Sequence, residues 1–394
     1  MKKKAQINQK FKYLNNIQNE DLNTLQSLNL SLKNKKLGDK GIEVLSTEIV
    51  QLKSLLNLNL NLEYNLISEN GLQILAQKIA QSCFLTNLSL KLQENNFGDT
   101  GVILLGEELS NLQKSLKKLS INLGSNELYS SGVFGFVQKI AKLNQISDLE
   151  LNFEYNYLLQ NDVPEIASCI TQLGNLQTLK LKLGDNQIED QGLANLSQEM
   201  KFWVNLQHLN LIINVAKVTD VGVSELSKGI SNMINLKSLE IDLEKNNIIN
   251  QGAISLGNSI KNLKHLEKLS INLTDNVNLE KSVLCKFIDD ISECIKLQKL
   301  NLFLSYISIY SSGISSISRS LLKLSNIQSL LIETNFCSIG IEGYKQLISD
   351  MSKQKKISSF TLDLQDNVVG SQGEQLDQYS IRKQKYLVQK KLFL

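Results

Sequence analysis

The sequence is poor in the residues that most catalytic and metal-binding schemes require. It holds 2 histidines, 1 tryptophan, 1 proline, and 5 cysteines without a C-x-x-C pair. The two imidazoles, His208 and His265, have no Ser or Cys partner at motif spacing, so acid/base, triad and metal chemistry lack their usual ingredient. No catalytic residue, metal or cofactor is expected. An odd, unclustered set of cysteines fits a reducing compartment better than a disulfide framework. No apolar run approaches the roughly 18 residues of a membrane span, and the lysine-bearing start, Met1 to Glu20, has no apolar core of a secretory signal. Phosphate-cradling runs of the G-x-x-x-x-G-K-[ST] or G-x-G-x-x-G type are also missing, which removes nucleotide sites of those kinds. With Lys+Arg 42 against Asp+Glu 39, the net charge of +3 gives no footprint for a nucleic-acid partner. A cytoplasmic protein with an ordinary apolar core is the expectation.

What the sequence does contain is a repeat. The second leucine of L-x-x-L-x-L-x-L recurs at Leu28, Leu58, Leu88, Leu119, Leu149, Leu179, Leu209, Leu239, Leu269, Leu300 and Leu330, with Phe360 last, in steps of 30 or 31. Thirteen residues after each comes a second landmark, glycine at ten of twelve positions, from Gly41 to Gly373. Two landmarks in fixed register describe stacked supersecondary units rather than separate domains. The units fill positions 22–380 as one solenoid, leaving 1–21 as a basic N-terminal cap segment and 381–394 as a basic capping helix or tail. Because Tyr379 to Leu394 is basic and amphipathic, contact with a membrane or partner is the other reading of that tail.

Within each unit the period switches. Leu179, Leu181 and Leu183 alternate with lysines, as a strand with one buried face does, and the positions after Gly252 return at helical spacing. A capping-type residue sits two before most of the glycines, for example Asp39, Asp99, Asp190 and Asp220; it is expected to accept hydrogen bonds from the free amides that open its helix. Leu181, Leu211 and Ile241 are expected in the core.

The run Leu179, Leu181, Leu183, Asn186, Ile188, Gly192 and Leu193 resembles a leucine-rich repeat of the ribonuclease-inhibitor-like type, and the resemblance covers almost the whole chain. The chain departs from that pattern by two residues added to each strand. The resemblance implies an α/β solenoid, a horseshoe of about twelve strand–helix repeats with a parallel sheet on the concave face. The Asn-, Lys-, Gln- and Ile-heavy wording is similar to that of repeat proteins of ciliated protozoa.

The 30-residue register allows each position to be compared as a column. The last sheet-face column of the strands is polar except at Ile212 and Phe303, and Leu331 is apolar in the column before it. A turn asparagine, as in Asn65, Asn126 and Asn246, fails at Lys35, Ala216, Ile307 and Cys337. The tenth and eleventh repeats thus lose it just where Phe303, Tyr306, Ile307, Ile309, Tyr310, Leu331 and Phe336 gather. Two readings stand: irregular turns that tuck apolar groups into a modified core, or an exposed patch that, with Ile212 of the seventh repeat, docks a partner on the concave face. Charge is blocked too, with Asp148 and Glu150, then Lys180 and Lys182, then Glu240 and Asp242; these are either a solvated face or ridges that set a partner's register. Trp203 and Cys294 fall in an apolar column and read as core, whereas Phe202 replaces polar residues on the convex side.

With no catalytic constellation and a long sheet face, the reading is a non-enzymatic protein-interaction scaffold or assembly subunit, held in a larger cytoplasmic, cytoskeletal or ciliary complex. Two alternatives come from resemblance. Ran GTPase-activating proteins share the repeat type, which implies a small GTPase as partner, but their acidic C-terminal region has no counterpart here. Inhibition of a partner enzyme, as by ribonuclease inhibitor, is the other; that family is cysteine-rich and acidic, and this chain is neither.

Overall fold

The computed structural model describes residues 24–369 and 389–393, which fall into two compact units: residues up to 158 with 165–182, and 159–164 with 183 onward. The division lies inside the stretch read as one solenoid, and positions 1–21 lie outside the described residues.

In the first unit, strands β1 (Ser27–Ser31), β2 (Asn57–Asn61), β3 (Asn87–Lys91), β4 (Lys118–Asn122), β5 (Asp148–Asn152) and β6 (Thr178–Lys182) alternate with α1 (Gly38–Ile49), α2 (Glu69–Ile79), α3 (Gly98–Ser110) and α4 (Ser130–Ile140). Helix α5 (Val163–Thr171) follows β5; it carries the sole proline, Pro164, in its first turn, where the missing N–H breaks no helix bond. In the second unit α6 (Glu189–Met200), α7 (Asp220–Ser231), α8 (Gln251–Ile260), α9 (Lys281–Ile291), α10 (Tyr310–Leu321) and α11 (Ile341–Met351) alternate with β7 (His208–Ile212), β8 (Ser238–Asp242), β9 (Lys268–Asn272), β10 (Lys299–Phe303), β11 (Ser329–Glu333) and β12 (Ser359–Asp363). Of the expected C-terminal helix or tail, Gln389–Phe393 forms a strand, β13, parallel to β12; the rest lies outside the described residues.

Twelve parallel strands alternating with helices make this an α/β leucine-rich repeat solenoid. Pairing matches residues one repeat apart, as in Leu28 with Leu58, Leu88 with Leu119, and Leu300 with Leu330. Spatial columns are therefore sequence columns. Leu181, Leu211 and Ile241 are all within 1% of complete burial. Beyond each strand the added pair of residues continues the ladder: Leu62 donates its N–H to Lys91 and Leu92 to Asn122. The helices bury one stripe, as in Val223, Leu226 and Ile230 of α7, at the spacing of a single helical face.

The aspartates do something other than capping their own helices. The Asp190 carboxylate accepts from the Thr219 N–H (2.7 Å), Thr219 hydroxyl (2.6 Å) and Gly222 N–H (3.0 Å), all at the start of the next repeat's helix. Asp220 likewise accepts from the amides of Ile249, Asn250 and Gln251. This placement also accounts for several glycines of the column, while others, such as Gly41 and Gly192, leave room for Leu37 and Ile188 of their own repeats. A Cβ on Gly222 would stand 2.5 Å from Asp190 Oδ1, and one on Gly132 would meet Asp99 Oδ1 at 2.2 Å. The expected self-capping is corrected to capping across repeats; Ser68 and Thr219 do additionally cap their own helices.

The turn asparagines form a second ladder. Asn246 Oδ1 accepts from the amides of Ala216 (3.1 Å) and Val218 (3.0 Å), and its Nδ2 donates to the Ile213 carbonyl (2.8 Å). Each such residue thus satisfies turn groups of the preceding repeat that would otherwise be costly to bury.

Candidate protein-binding face

Side chains at alternate strand positions leave the helix-packed layer and face the open side of the sheet. In the second unit Phe303 ends β10 beside Asn272 of β9 and Glu333 of β11, at an interstrand spacing of about 4.8 Å. Leu331 lies on β11 opposite Asn301, and Ile212 ends β7. All three are half-buried. Glu333 takes a hydrogen bond from the Ser305 hydroxyl at 3.1 Å. Burial, then the carboxylates of Asp363 and Glu244, hold its pKa above the ordinary value against that bond.

Past the strand, the chain takes a left-handed conformation at the same position in every repeat, from Asn34 (φ 55) to Asp366 (φ 56). Most residues there are short or polar. The exceptions are Tyr64, Tyr155, Val215, Tyr306 and Phe336, for which a positive φ costs roughly 1–2 kcal/mol. Tyr306 and Phe336 are 48% and 47% exposed, and their rings stack with centroids 4.7 Å apart at 11°. Backbone bonds from Tyr306 to Asn335 (2.9 Å) and from Phe336 to Gln365 (3.1 Å) hold the turn.

The next position separates the two readings of the apolar cluster. Ile307 and Ile309 are completely buried. Ile307 is therefore corrected from exposed anchor to core: it occupies the inward asparagine position and fills it with hydrocarbon. In the eleventh repeat Cys337 replaces the asparagine, and its Sγ reaches the carbonyls of Leu304 (3.2 Å) and Asn335 (3.3 Å). Burial drives that thiol up to about 12. Tyr310, half exposed at the start of α10, has Lys281 Nζ 5.7 Å from its ring centroid. The cluster splits into an inward set, Ile307, Ile309 and Cys337, and an outward or half-outward set, Phe303, Tyr306, Tyr310, Leu331 and Phe336.

The charged blocks differ between the units. In the first, Lys118 pairs with Asp148 (3.3 Å), Lys180 with Glu150 (3.1 Å) and Lys182 with Glu154 (3.6 Å), each between neighbouring repeats. Exposed pairs of this kind add little stability, but they neutralise the face. In the second unit Glu240 accepts from Asn210 (2.6 Å), and Asp242 accepts from the Glu244 amide (3.0 Å).

Three surface features were missed in the columns. A groove of about 460 Å³ on the first unit's sheet face is lined by Asn29, Asn59, Asn87, Lys118, Glu150 and Lys180, among others; the short Asn and Ser side chains of the early strands were its signal. Tyr129 and Tyr157 stack at 4.8 Å on the turns of the same unit. Val204, Ile234 and Ile295, between 57% and 62% exposed, occupy one helix-to-strand position in three repeats. Phe202 is 54% exposed with Lys201 Nζ 4.8 Å from its ring, while Trp203 and Cys294 are buried as core. His208 is half-buried on β7, and His265 Nδ1 lies 3.4 Å from Lys296 Nζ. Among the described residues no cluster of His, Cys, Asp or Glu has the makings of a metal site, and no helix is long and apolar enough to cross a membrane.

No family model matches the chain, and no curated protein does. Among solved structures, a chain of the Rad7 and Elc1 complex in yeast is similar over 88% of this chain and 78% of its own, with a TM-score of 0.56 and 14% identity. Internalin C2 from Listeria monocytogenes aligns over 59% of this chain and 83% of its own, at 20% identity and a TM-score of 0.35. At such identities the likeness to the yeast chain is one of fold, and the fold is the one that the repeats themselves build.

Proposed function

We propose that this chain is a non-enzymatic protein-interaction scaffold or assembly subunit, built of repeats of the ribonuclease-inhibitor-like type, that takes a protein partner on its open sheet face and the adjoining turns. The observation that carries the reading is the Tyr306–Phe336 stack. Two large rings, each about half exposed, are kept on backbone that disfavours them, in the same two repeats as the half-buried Phe303 and Leu331. The inward set fills the core without them, so their exposure serves no packing need. Aromatic anchors of this kind typically dominate interface energy, and a standard interface needs roughly 800 Å² per partner, an area that a few adjacent repeats supply. The free cysteines and the repeat wording support a cytoplasmic setting, in a cytoskeletal or ciliary assembly.

The test is Phe303→Ser combined with Tyr306→Asn, since asparagine tolerates the left-handed backbone. The tagged variant and parent are purified from native cells after melting and solubility are shown to match. Loss of the co-purifying protein is expected; full recovery overturns the reading. Recovery of a small GTPase as the main companion moves the function to a GTPase regulator.

A further inference from the structure

The open face of the second unit is acidic where the first unit's is neutralised. On β8 to β12 and the residues just beyond, the outward positions past the strand entrance hold Glu240, Asp242, Glu244, Glu333 and Asp363, and no lysine or arginine. The two lysines of these strands, Lys268 and Lys299, sit at the opposite, entry end of β9 and β10. Among the described residues Glu240, Glu333 and Asp363 form no ion pair, whereas Glu244 is met from the turn by Lys245 at 3.4 Å. Phe303 stands within this field, flanked in register by Glu333, with Leu331 on the adjoining strand.

We propose that this face receives a lysine- or arginine-rich extended segment of a partner protein whose alternate apolar side chains rest on Phe303 and Leu331. The inference rests on the protein-binding reading above and adds the chemistry of the partner. Complementary charge is the argument. Like charges on one sheet face destabilise the free protein, and Glu240, Glu333 and Asp363 take hydrogen bonds from Asn210, the Ser305 hydroxyl and the Gln365 amide, neutral donors that leave the like charges in place. Glu333 shows the effect: burial and the neighbouring Asp363 and Glu244 carboxylates make its proton harder to lose. A cation placed there relieves the repulsion, and the long aliphatic stems of Lys and Arg cover apolar surface as they do so. A nucleic acid or an acidic membrane would be repelled. An extended segment matches the face, because its side chains alternate with the same period as the strands.

The probe is a short fluorescein-labelled peptide alternating Lys and Leu, titrated against the full chain by fluorescence anisotropy; the control has Glu in place of Lys. Binding of the Lys peptide should weaken about tenfold in the Glu333→Gln, Asp363→Asn double variant, which keeps side-chain shape, and should fall as salt rises from roughly 50 to 300 mM, as the Debye length shortens. Equal affinity of the double variant, or equal binding of the Glu peptide, overturns the proposal. Two results assign another occupant and overturn it as well. One is tighter peptide binding after Arg382→Glu, Lys383→Glu and Lys385→Glu, which indicates the chain's own basic tail. The other is self-association that the double variant abolishes. Native-partner recovery separates the two levels. If Phe303→Ser with Tyr306→Asn loses the partner while Glu333→Gln with Asp363→Asn keeps it, the basic-segment inference fails and the protein-binding reading stands. If neither variant changes recovery, both fail.

Discussion

Replacing Asn126 by Ala should weaken the fold by far more than the loss of one small polar side chain suggests. Asn126 is 2% exposed. Its Nδ2 donates to the carbonyls of Leu92 (3.2 Å), Leu123 (3.1 Å) and Gly124 (2.9 Å), and its Oδ1 accepts from the Asn95 N–H (2.9 Å). The carbonyls each keep a second donor: Asn95 Nδ2 for Leu92, Asn156 Nδ2 for Leu123, and the Glu94 amide for Gly124. Their loss falls at the low end of a net hydrogen bond, about 0.5 kcal/mol each. The Asn95 amide keeps no acceptor among the described bonds, and stranding it costs about 1–3 kcal/mol. The total is roughly 2.5–4.5 kcal/mol. Asn126→Asp is the sharper variant, because it retains the acceptor, removes the donors and points a negative charge at three carbonyls. It should be at least as damaging at neutral pH and milder in acid. Urea unfolding measures the loss, and amide exchange at Asn95 reads it locally, which matters because repeat arrays can open in parts. If both variants stay within about 0.5 kcal/mol of the parent, or if exchange at Asn95 does not quicken, the asparagine ladder is not what holds the turns.

Leu211→Ala, at a position 1% exposed, should cost about 2–5 kcal/mol by leaving a cavity in the strand layer; an unchanged melting temperature refutes its packing role. Stability should fall in acid: burial pushes the Asp350 carboxyl up, but hydrogen bonds from Gln346, Lys353 and Ser318 outweigh it and hold its pKa below the ordinary value. A depressed folded-state pKa contributes stability above the unfolded value that is lost as pH falls through the folded one, so Asp350→Asn should lower the melting temperature at neutral pH, with about 1–3 kcal/mol at stake, and the gap should narrow as pH falls below the ordinary carboxylate range; a gap that does not narrow in acid contradicts this. With burial driving Cys337 to about 12 and Cys169 and Cys294 to about 11, iodoacetamide at pH 8 should label the exposed Cys83 first, and equal labelling of Cys337 in the folded chain would show that its turn opens.

Much of the fold was legible because the repeat length equals the pairing register. Leu88 falls opposite Leu119 across an insertion that lengthens one step to 31, so columns read from the sequence are columns in space. The capping scheme was legible in its residue types and not in its connections. Asp190 and Thr219 are 29 positions apart, and a list of side chains cannot say whether an aspartate serves its own helix or the next. The glycine beside it, Gly222, carried the same information in hidden form, since the close approach of Asp190 leaves no room for a side chain there.

The candidate site was harder to read because the alternation that sorts inward from outward residues stops where the strand ends. Tyr306 and Ile307 are adjacent, yet one is 48% exposed and the other fully buried. The left-handed residue between strand and asparagine position sets that division, and no glycine marks it: the column contains Asn34, Ser125, Val215 and Lys245 as readily as Tyr306. Proximity in sequence therefore joined two sets with opposite orientations. The charged blocks show a related limit. Asp148 and Glu150 gain their cations from neighbouring strands, while Glu333 and Asp363 face each other across β11 and β12. The same residue type is neutralised in one unit and opposed in the other. What differs is the neighbour 30 residues away, so in this chain the meaning of a surface charge lies in its column and not in its local sequence.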